Sequence, residues 1–208
     1  SQANQQPQLQ VFILSKGHGC LSLYPLLKKK GYNPEVLPHP DIDVKNGIEC
    51  TSGSLGHGIA IAVGKALAKK LKEEAGTIYV IVGDGEAQEG SVWESLNIIR
   101  KCQLDNIVPI IDYNSFQALD RVHDIMCEKD FVRKFEAFGF RVFDIDGHCF
   151  ESLIASFKEI RKNKGVNLIV ANTVKGKGIS FMENVAMWHT RMLSDDEYIR
   201  ARQEIIGS

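Results

Sequence analysis

The stretch Ile78-Tyr-Val-Ile-Val-Gly83-Asp84-Gly85-Glu86 decides the fold. Its opening run is apolar and rich in β-branched residues, which predicts a short strand that is buried on both faces. Strands of this kind belong to parallel sheets that are covered by helices. The Gly-Asp-Gly turn that follows places Asp84 at the carboxyl end of the strand, where open α/β sheets bind their ligands.

Elsewhere in the chain, short runs of almost entirely apolar residues alternate with segments whose apolar residues have helical spacing. We predict that these runs too are strands buried on both faces. The fold class that this alternation predicts is α/β, with an open, mostly parallel sheet and helices on both faces. Residues 1–10 are polar and rich in Gln, so we expect a flexible lead-in there and one domain over residues 11–208. The predicted strands are 78–82, 107–112, 141–145 and 168–173, and the predicted helices are 58–74, 91–101, 129–138 and 150–163.

The charge balance argues against several classes of partner. The 208 residues include 25 Lys and Arg against 26 Asp and Glu, and the net charge of −1 gives no field that would attract nucleic acid or an anionic membrane surface. No apolar run approaches the roughly 20 residues that span a bilayer. The five cysteines are odd in number and widely spread, which disfavours structural zinc and a disulfide framework and favours the cytoplasm.

Polar side chains follow two of the predicted strands. Asp84 comes after the strand 78–82, and Asn114 follows the strand 107–112. If the two strands are neighbours, their carboxyl ends bring both side chains together, and oxygen ligands suit a hard cation such as Mg²⁺ that bridges protein to phosphate. The alternative, a plain Gly-Asp-Gly turn, stays open on these residues alone, because short glycine-rich patterns are common.

The spacing from Gly-Asp-Gly to Asn114 resembles the signature of thiamine diphosphate enzymes. Over residues 11–206 the chain is similar to the N-terminal, thiamine diphosphate-binding half of transketolase. Its length resembles the split type, in which this domain and the pyrimidine-binding domain are separate polypeptides. The motifs that carry the resemblance are Ser15-Lys-Gly-His-Gly19, Thr51-Ser-Gly-Ser-Leu-Gly-His-Gly58, Gly83-Asp-Gly-Glu-Ala-Gln-Glu-Gly90, Asp146-Gly-His148, Val174-Lys-Gly-Lys-Gly178 and Trp188-His189.

The resemblance implies a site for thiamine diphosphate and Mg²⁺, with Ca²⁺ or Mn²⁺ able to replace the magnesium. It assigns the metal to the side chains of Asp84 and Asn114 and to the main-chain carbonyl of Phe116. Leu55 would support the cofactor in a bent form, and Glu89 would lie at a dimer interface that links paired sites. The residues that it assigns to the cofactor are Gly53, Ser54, Leu55, Gly83, Gly85, Glu89, Asn114, Lys175 and His189.

The resemblance also separates the six histidines into two groups. His18 and His39 match catalytic positions that line the substrate channel and transfer protons, a task that suits an imidazole near neutral pH. His189 matches a position near the diphosphate. For the other three, which are His57, His123 and His148, the structural interpretation is favoured.

The implied reaction moves a two-carbon ketol unit from a ketose, in the main a phosphorylated one, to an aldose acceptor. The implied partner is the C-terminal transketolase subunit, which carries the pyrimidine domain and the catalytic Glu. Self-association of the present chain would then give a heterotetramer with two copies of each subunit (α₂β₂). The substrates are sugars and sugar phosphates.

Several alternatives stay open. The chain could serve another thiamine diphosphate enzyme, such as 1-deoxyxylulose-5-phosphate synthase or the E1 component of a 2-oxo acid dehydrogenase. It could also be a non-catalytic regulatory subunit of the same fold, and Lys175 could belong to a solvated loop rather than to the site. The family has a further helical segment ahead of the Ser-Lys-Gly-His motif, so we expect a partner in that place, a longer chain or a more open site.

Overall fold

The computed structural model describes residues 10–126 and 130–207. Three sequence predictions reach beyond these ranges. The lead-in predicted for residues 1–10 lies outside the described residues except for Gln10. The predicted helix 129–138 begins outside them, and Cys127 also lies outside them.

The described strands form one sheet: β1 (Val11–Leu14), β2 (Ile78–Gly83), β3 (Ile107–Tyr113), β4 (Arg141–Asp146) and β5 (Asn167–Asn172). Their order is β1-β2-β3-β5-β4. Every neighbouring pair in this sheet is parallel. The predicted α/β fold with an open, mostly parallel sheet is therefore confirmed.

The described helices are α1 (Cys20–Lys29), α2 (His57–Leu71), α3 (Gly90–Lys101), α4 (Val122–Met126), α5 (Phe131–Ala137), α6 (Phe150–Lys162) and α7 (Asp195–Ile206). Helices α2, α3 and α5 pack on one face of the sheet and build the larger core. Helix α6 packs on the opposite face, so both faces carry helices as predicted. Within residues 10–126 and 130–207, no helix combines the length and the apolar character needed to cross a membrane.

Strand β2 shows how the sequence produces these layers. Ile78, Val80 and Val82 are fully buried against the face that carries α2 and α3. Tyr79 and Ile81 point to the other face, where the ring of Tyr79 lies 5.4 Å, between centroids, from that of Phe157 in α6. Successive side chains of a strand point to opposite faces of the sheet. A strand that is apolar at every position therefore needs other elements packed on both faces.

Two details of the elements differ from the prediction. Strand β4 was expected to be buried on both faces, but it lies at the edge of the sheet, where Arg141 and Asp144 are exposed. The helix predicted over residues 58–74 ends at Leu71. It stops there because Glu73 adopts the left-handed conformation, with φ 56°.

The sheet face opposite α2 is covered only in part by the described residues. An apolar hollow of about 640 Å³ lies beside α6 and extends as far as β1. Phe12 and Ile81 form one side of it, and Leu153 and Phe157 of α6 form the other. Phe12 is 38% exposed, so part of the inner sheet surface is open to solvent.

The register of the sheet brings the ends of four strands to one edge. Gly83 at the end of β2 pairs with Asp112 of β3, and Tyr113 pairs with Asn172 of β5. The chain leaving β1 joins them, because the N–H of Ser15 donates to the carbonyl of Ile81 at 2.9 Å. Parallel strands place all of their carboxyl ends on the same side, and this edge carries the candidate site.

Candidate active site

One wall of the site is a close contact between the turn after β1 and the loop before α2. A Cβ on Gly53 would lie 2.8 Å from the ring of His39, and Gly53 has φ +130°, a conformation that favours glycine. A Cβ on Gly17 would lie 2.7 Å from the backbone nitrogen of Gly53. The sequence thus packs the Ser-Lys-Gly-His turn, His39 and the Gly53 loop directly against one another.

The floor of the site joins Asp84 to the turn after β3. Asp84 is 2% exposed, and its carboxylate accepts hydrogen bonds from the backbone N–H of Gly85 at 2.8 Å and of Ser115 at 2.6 Å. The amide oxygen of Asn114 accepts from the N–H of Phe116 at 2.9 Å. The geometry therefore brings Asp84 and the 114–116 turn together, as the sequence predicts.

Asp84 and its surroundings have the chemistry that a divalent cation requires. Burial raises the pKa of Asp84 to about 6, although the Gly85 N–H and Lys16 act in the opposite direction. A bound cation would offset this cost, since it favours the charged carboxylate. Residues 10–126 and 130–207 contain no cluster of three or more His, Cys, Asp or Glu side chains that could hold a metal. A cation at Asp84 would thus take its remaining ligands from amide, carbonyl and phosphate oxygens.

Two lysines and a second aspartate lie beside this floor. The ammonium group of Lys16 is 2.5 Å from the Oδ2 atom of Asp112, and the hydroxyl of Thr173 donates to Oδ1 of the same carboxylate at 2.5 Å. Burial lowers the pKa of Lys175, and the nearby Lys16 lowers it further, while Asp112 and Asp84 act against them. Such a concentration of cations matches the needs of a diphosphate.

Three histidines form the upper part of the site. The ring centroid of His18 lies 4.6 Å from that of His39 and 4.5 Å from that of His189. Partial burial lowers the pKa of His189 to about 4, and His18 and Lys175 contribute to the shift. Partial burial also lowers the pKa of His18. Both imidazoles are therefore neutral at physiological pH and able to accept a proton.

A cavity of about 600 Å³ opens between these groups. Five of the residues predicted for the site line it: His18, Asn114, Phe116, Lys175 and His189. Lys175 therefore faces the cavity, which argues against the alternative of a solvated loop. Asp84 lies beneath the cavity in contact with the 114–116 turn, and His39 and Gly53 adjoin it through His18 and Gly17.

Other predicted residues do not face this cavity. The lining drawn from the described residues does not include Ser54, Leu55 or Glu89. The side chain of Leu55 is 40% exposed, and Glu89 is an exposed residue at the start of α3. Their roles at the cofactor and at a dimer interface stay predictions.

The histidines expected to be structural occupy varied positions. His148 lines the cavity, but its Nε2 accepts a hydrogen bond from the N–H of Val174 at 2.8 Å, which fixes the loop that carries Lys175. His57 is the exposed first residue of α2, and His123 is exposed in α4. The structural interpretation of these three histidines stays a prediction.

Lys16 and Asp112 line the cavity, and Glu86 is buried directly after the Gly83–Gly85 turn, but none of the three was predicted for the site. Lys16 had a signal, because it stands inside the Ser-Lys-Gly-His motif next to a predicted catalytic histidine. Asp112 is the acidic residue that ends the predicted strand 107–112. Their pairing across the sheet edge could not be read from the chain, where they are separated by 96 positions.

Residues 2–207 match the protein-family model described as "Transketolase, thiamine diphosphate binding domain". The chain belongs to the transketolase family. The resemblance identified from the sequence motifs is confirmed, and so is thiamine diphosphate as the cofactor of this domain. The transketolase match spans all of the elements that build the candidate site.

Similar proteins include subunits of other transketolases. The chain is 37% identical over 211 residues to an apulose-4-phosphate transketolase subunit of Actinobacillus succinogenes, covering 96% of this chain and 76% of that protein. It is 35% identical over 212 residues to the 6-deoxy-6-sulfo-D-fructose transketolase subunit SqwG of a Clostridium species. That alignment covers 96% of this chain and 77% of SqwG.

The transketolase of Campylobacter jejuni is a similar solved structure, with a TM-score of 0.84 and 27% sequence identity. The alignment covers 95% of this chain and 34% of that one. The chain thus spans about three quarters of the subunits but about a third of this transketolase chain.

Proposed function

We propose that the chain is the thiamine diphosphate-binding subunit of a split transketolase, which transfers a two-carbon ketol unit from a ketose donor to an aldose acceptor. The observation that carries the proposal is the meeting of Asp84, the 114–116 turn, two lysines and three histidines around one cavity at the carboxyl edge of the sheet. The similarity to subunits of two transketolases supports the same conclusion.

Asp84, Asn114 and the carbonyl of Phe116 are the proposed ligands of Mg²⁺, and Ca²⁺ or Mn²⁺ could take its place. Gly85 would face a diphosphate oxygen through its backbone N–H, and Gly83, whose N–H already donates to Glu86, would shape the turn beside it. Lys175 and the neutral His189 would bind its remaining oxygens from the other side. The buried carboxylate and its raised pKa support this arrangement, since both call for a cation.

His18 and His39 are the proposed catalytic residues. Thiamine diphosphate, when bound, would supply the carbon nucleophile that this ketol transfer needs. His18 and His39 would hydrogen-bond the sugar hydroxyls and move their protons as the carbon–carbon bond breaks and forms. The lowered pKa of His18 supports this role, because a neutral imidazole can accept the proton.

The proposed partner is a second chain that carries the pyrimidine-binding domain and its catalytic Glu. Gly53, Ser54 and Leu55 would contact the cofactor at the boundary between the two chains, and the exposure of Leu55 supports such a boundary. Glu89 would meet a second copy of the present chain, which gives the α₂β₂ heterotetramer. We place this assembly in the cytoplasm.

The relatives described above are transketolases or transketolase subunits, which favours this function over a 1-deoxyxylulose-5-phosphate synthase, an E1 component or a regulatory subunit. The two subunits are named for different sugars. For this chain we therefore propose a class of donor, the ketoses, and not one particular sugar. Phosphorylated ketoses are the first candidates.

A ketol-transfer assay tests the function directly. The chain is co-purified with the pyrimidine-domain protein that binds it in the source cell, and transfer from a phosphorylated ketose to an aldose is followed with thiamine diphosphate and Mg²⁺. We expect transfer by the complex, and none by this chain alone or after removal of the cofactor. A complex that binds the cofactor but transfers no ketol unit from any phosphorylated ketose tested would contradict the proposal and favour a regulatory role.

A further inference from the structure

Glu86 follows the Gly83–Gly85 turn, and the function proposed above gives it no task. Its side chain is 2% exposed, yet it accepts hydrogen bonds from three separate segments. Oε1 accepts from the hydroxyl of Ser15 at 2.5 Å and from the N–H of Gly56 at 2.9 Å. Oε2 accepts from the N–H of Gly83 at 3.1 Å. The end of β1, the loop before α2 and the end of β2 thus meet on one carboxylate.

The connection extends into α2 through Ser15. Its Oγ atom accepts a hydrogen bond from the N–H of Ile59 at 3.2 Å while it donates to Glu86. The approach is possible because residue 58 is glycine: a Cβ there would lie 2.5 Å from Ser15 Oγ and 2.6 Å from Ser15 Cα. Glu86 is therefore linked to the first turn of α2 as well as to both loops.

A buried carboxylate must be satisfied by hydrogen bonds, because removing it from water costs several kcal/mol otherwise. Three donors satisfy Glu86, and two of them are backbone N–H groups whose positions are fixed by their own segments. The Gly56 donor belongs to the loop that contains Gly53 and Leu55, and the Gly83 donor opens the turn that contains Asp84. Moving either segment away would leave the buried charge under-satisfied.

We propose that Glu86 is a positioning residue that fixes the 53–56 loop and the 83–85 turn relative to each other, and so sets the shape of the thiamine diphosphate site before the cofactor binds. This inference rests on the proposed function, in which the two segments contact different parts of the cofactor. Glu86 itself touches neither the cofactor nor the substrate.

The substitution Glu86→Gln tests the proposal with little change of shape. A glutamine amide has one oxygen that accepts hydrogen bonds and one NH₂ group that only donates. The NH₂ group would therefore face the backbone N–H of either Gly83 or Gly56, so that two donors meet. A backbone N–H cannot rotate away from such a contact, whereas the hydroxyl of Ser15 can. We expect the amide exchange of Gly83 or Gly56 to accelerate about tenfold without cofactor, the effect of losing one hydrogen bond to a charged group. In the co-purified complex with Mg²⁺, we expect the dissociation constant of thiamine diphosphate, measured by calorimetry, to rise by about the same factor.

Ser15→Ala provides a second variant, which removes the hydroxyl that donates to Glu86 and accepts from the N–H of Ile59, while Glu86 keeps its charge and both backbone donors. Its matched control is Ser156→Ala in α6, where another buried hydroxyl donates within its own helix, to the carbonyl of Ser152 at 2.9 Å. Both substitutions delete one buried hydroxyl, but Ser15→Ala removes two hydrogen bonds and Ser156→Ala removes one. Urea unfolding of both variants therefore measures the stability that each loses, and cofactor binding is compared under conditions in which both are fully folded. Weaker cofactor binding in Ser15→Ala but not in Ser156→Ala separates positioning from a general loss of stability.

The outcomes distinguish the inference from the proposed function. If the wild-type complex binds the cofactor and both Glu86→Gln and Ser15→Ala bind it with the same affinity, the positioning role of Glu86 is overturned. The proposed function is then unaffected. A wild-type complex that does not bind thiamine diphosphate would overturn the proposed function instead. In that case the exchange rates of Gly56 and Gly83 would still show whether Glu86 holds the two segments.

Discussion

Asp84 bears an electrostatic cost in the described site, because it is a carboxylate with 2% exposure and a pKa raised to about 6. Asp84→Asn keeps its size and removes its charge. We expect the substitution to weaken Mg²⁺-dependent binding of thiamine diphosphate by about a hundredfold or more, since a buried charge loses its partner. The measurement is calorimetric titration of the assembled complex.

Asp105→Asn is the matched control for this prediction. Asp105 is exposed and precedes β3, so it lies at the opposite edge of the sheet from the site. The same chemical change there should leave cofactor binding as it is. Wild-type affinity in Asp84→Asn would show that the ion site assigned to Asp84 is wrong.

His189 gives the fold a dependence on pH. Its folded-state pKa of about 4 is below its ordinary value of 6.5, so the fold favours the neutral imidazole. The stability that follows from this preference is complete above pH 6.5 and is lost as the pH falls towards 4. We expect the free energy of unfolding to fall less over this range in His189→Gln than in the wild type. Urea unfolding at several pH values measures the difference, and parallel curves would contradict it.

Individual residues show what the sequence can and cannot supply. Asp84 and Asn114 were predicted to meet, because each follows an apolar strand and parallel strands end at one edge. Lys16 and Glu86 were missed, since their roles depend on partners that lie far away in the chain, at Asp112 and Ser15. A sequence motif thus identifies the residues that face a ligand. It identifies less readily the residues whose contacts hold separate motifs in place.

Among the elements, α7 has the clearest local stabilisation. The hydroxyl of Ser194 accepts from the N–H of Glu197, and the carboxylate of Glu197 accepts from the N–H of Ser194, which forms a capping box. We expect Ser194→Ala to lower the free energy of unfolding by about 1 kcal/mol, the usual value of an N-cap side chain. Ser194→Asp, which can also cap, should restore most of it, and urea unfolding of the three proteins checks both expectations.

The elements also explain why some of the fold escaped prediction. Strand β1 has four residues, too few to display a period. Its assignment comes from pairing with β2, an interaction with residues 67 positions away. Long apolar runs such as those of β2 and β3 were predicted nearly to the residue, because burial on both faces leaves a signal in the sequence itself.

At the scale of the whole molecule, the exposed Glu89 and Leu55 belong to surfaces that the proposed assembly would cover. We expect sedimentation of the co-purified complex to give the mass of two copies of each chain. Glu89→Arg should reduce this to one copy of each, because it places a longer side chain of opposite charge in the proposed interface between copies. Glu35→Arg, a charge reversal at another exposed position, is the control, and an unaltered mass for Glu89→Arg would place the interface elsewhere.

The cavity is lined by the chain leaving β1, by the turn after β3 and by the loop after β5, and the turn after β2 lies beneath it. Asp112, for example, contacts Lys16, which is 96 positions away, and Thr173, which is 61 positions away. Contacts between residues so far apart in the chain require long loops to close before they can contribute. On the ribosome, Lys16 is therefore synthesised long before the residues that complete its surroundings, and the site becomes competent for its ligand only after β5 has inserted between β3 and β4.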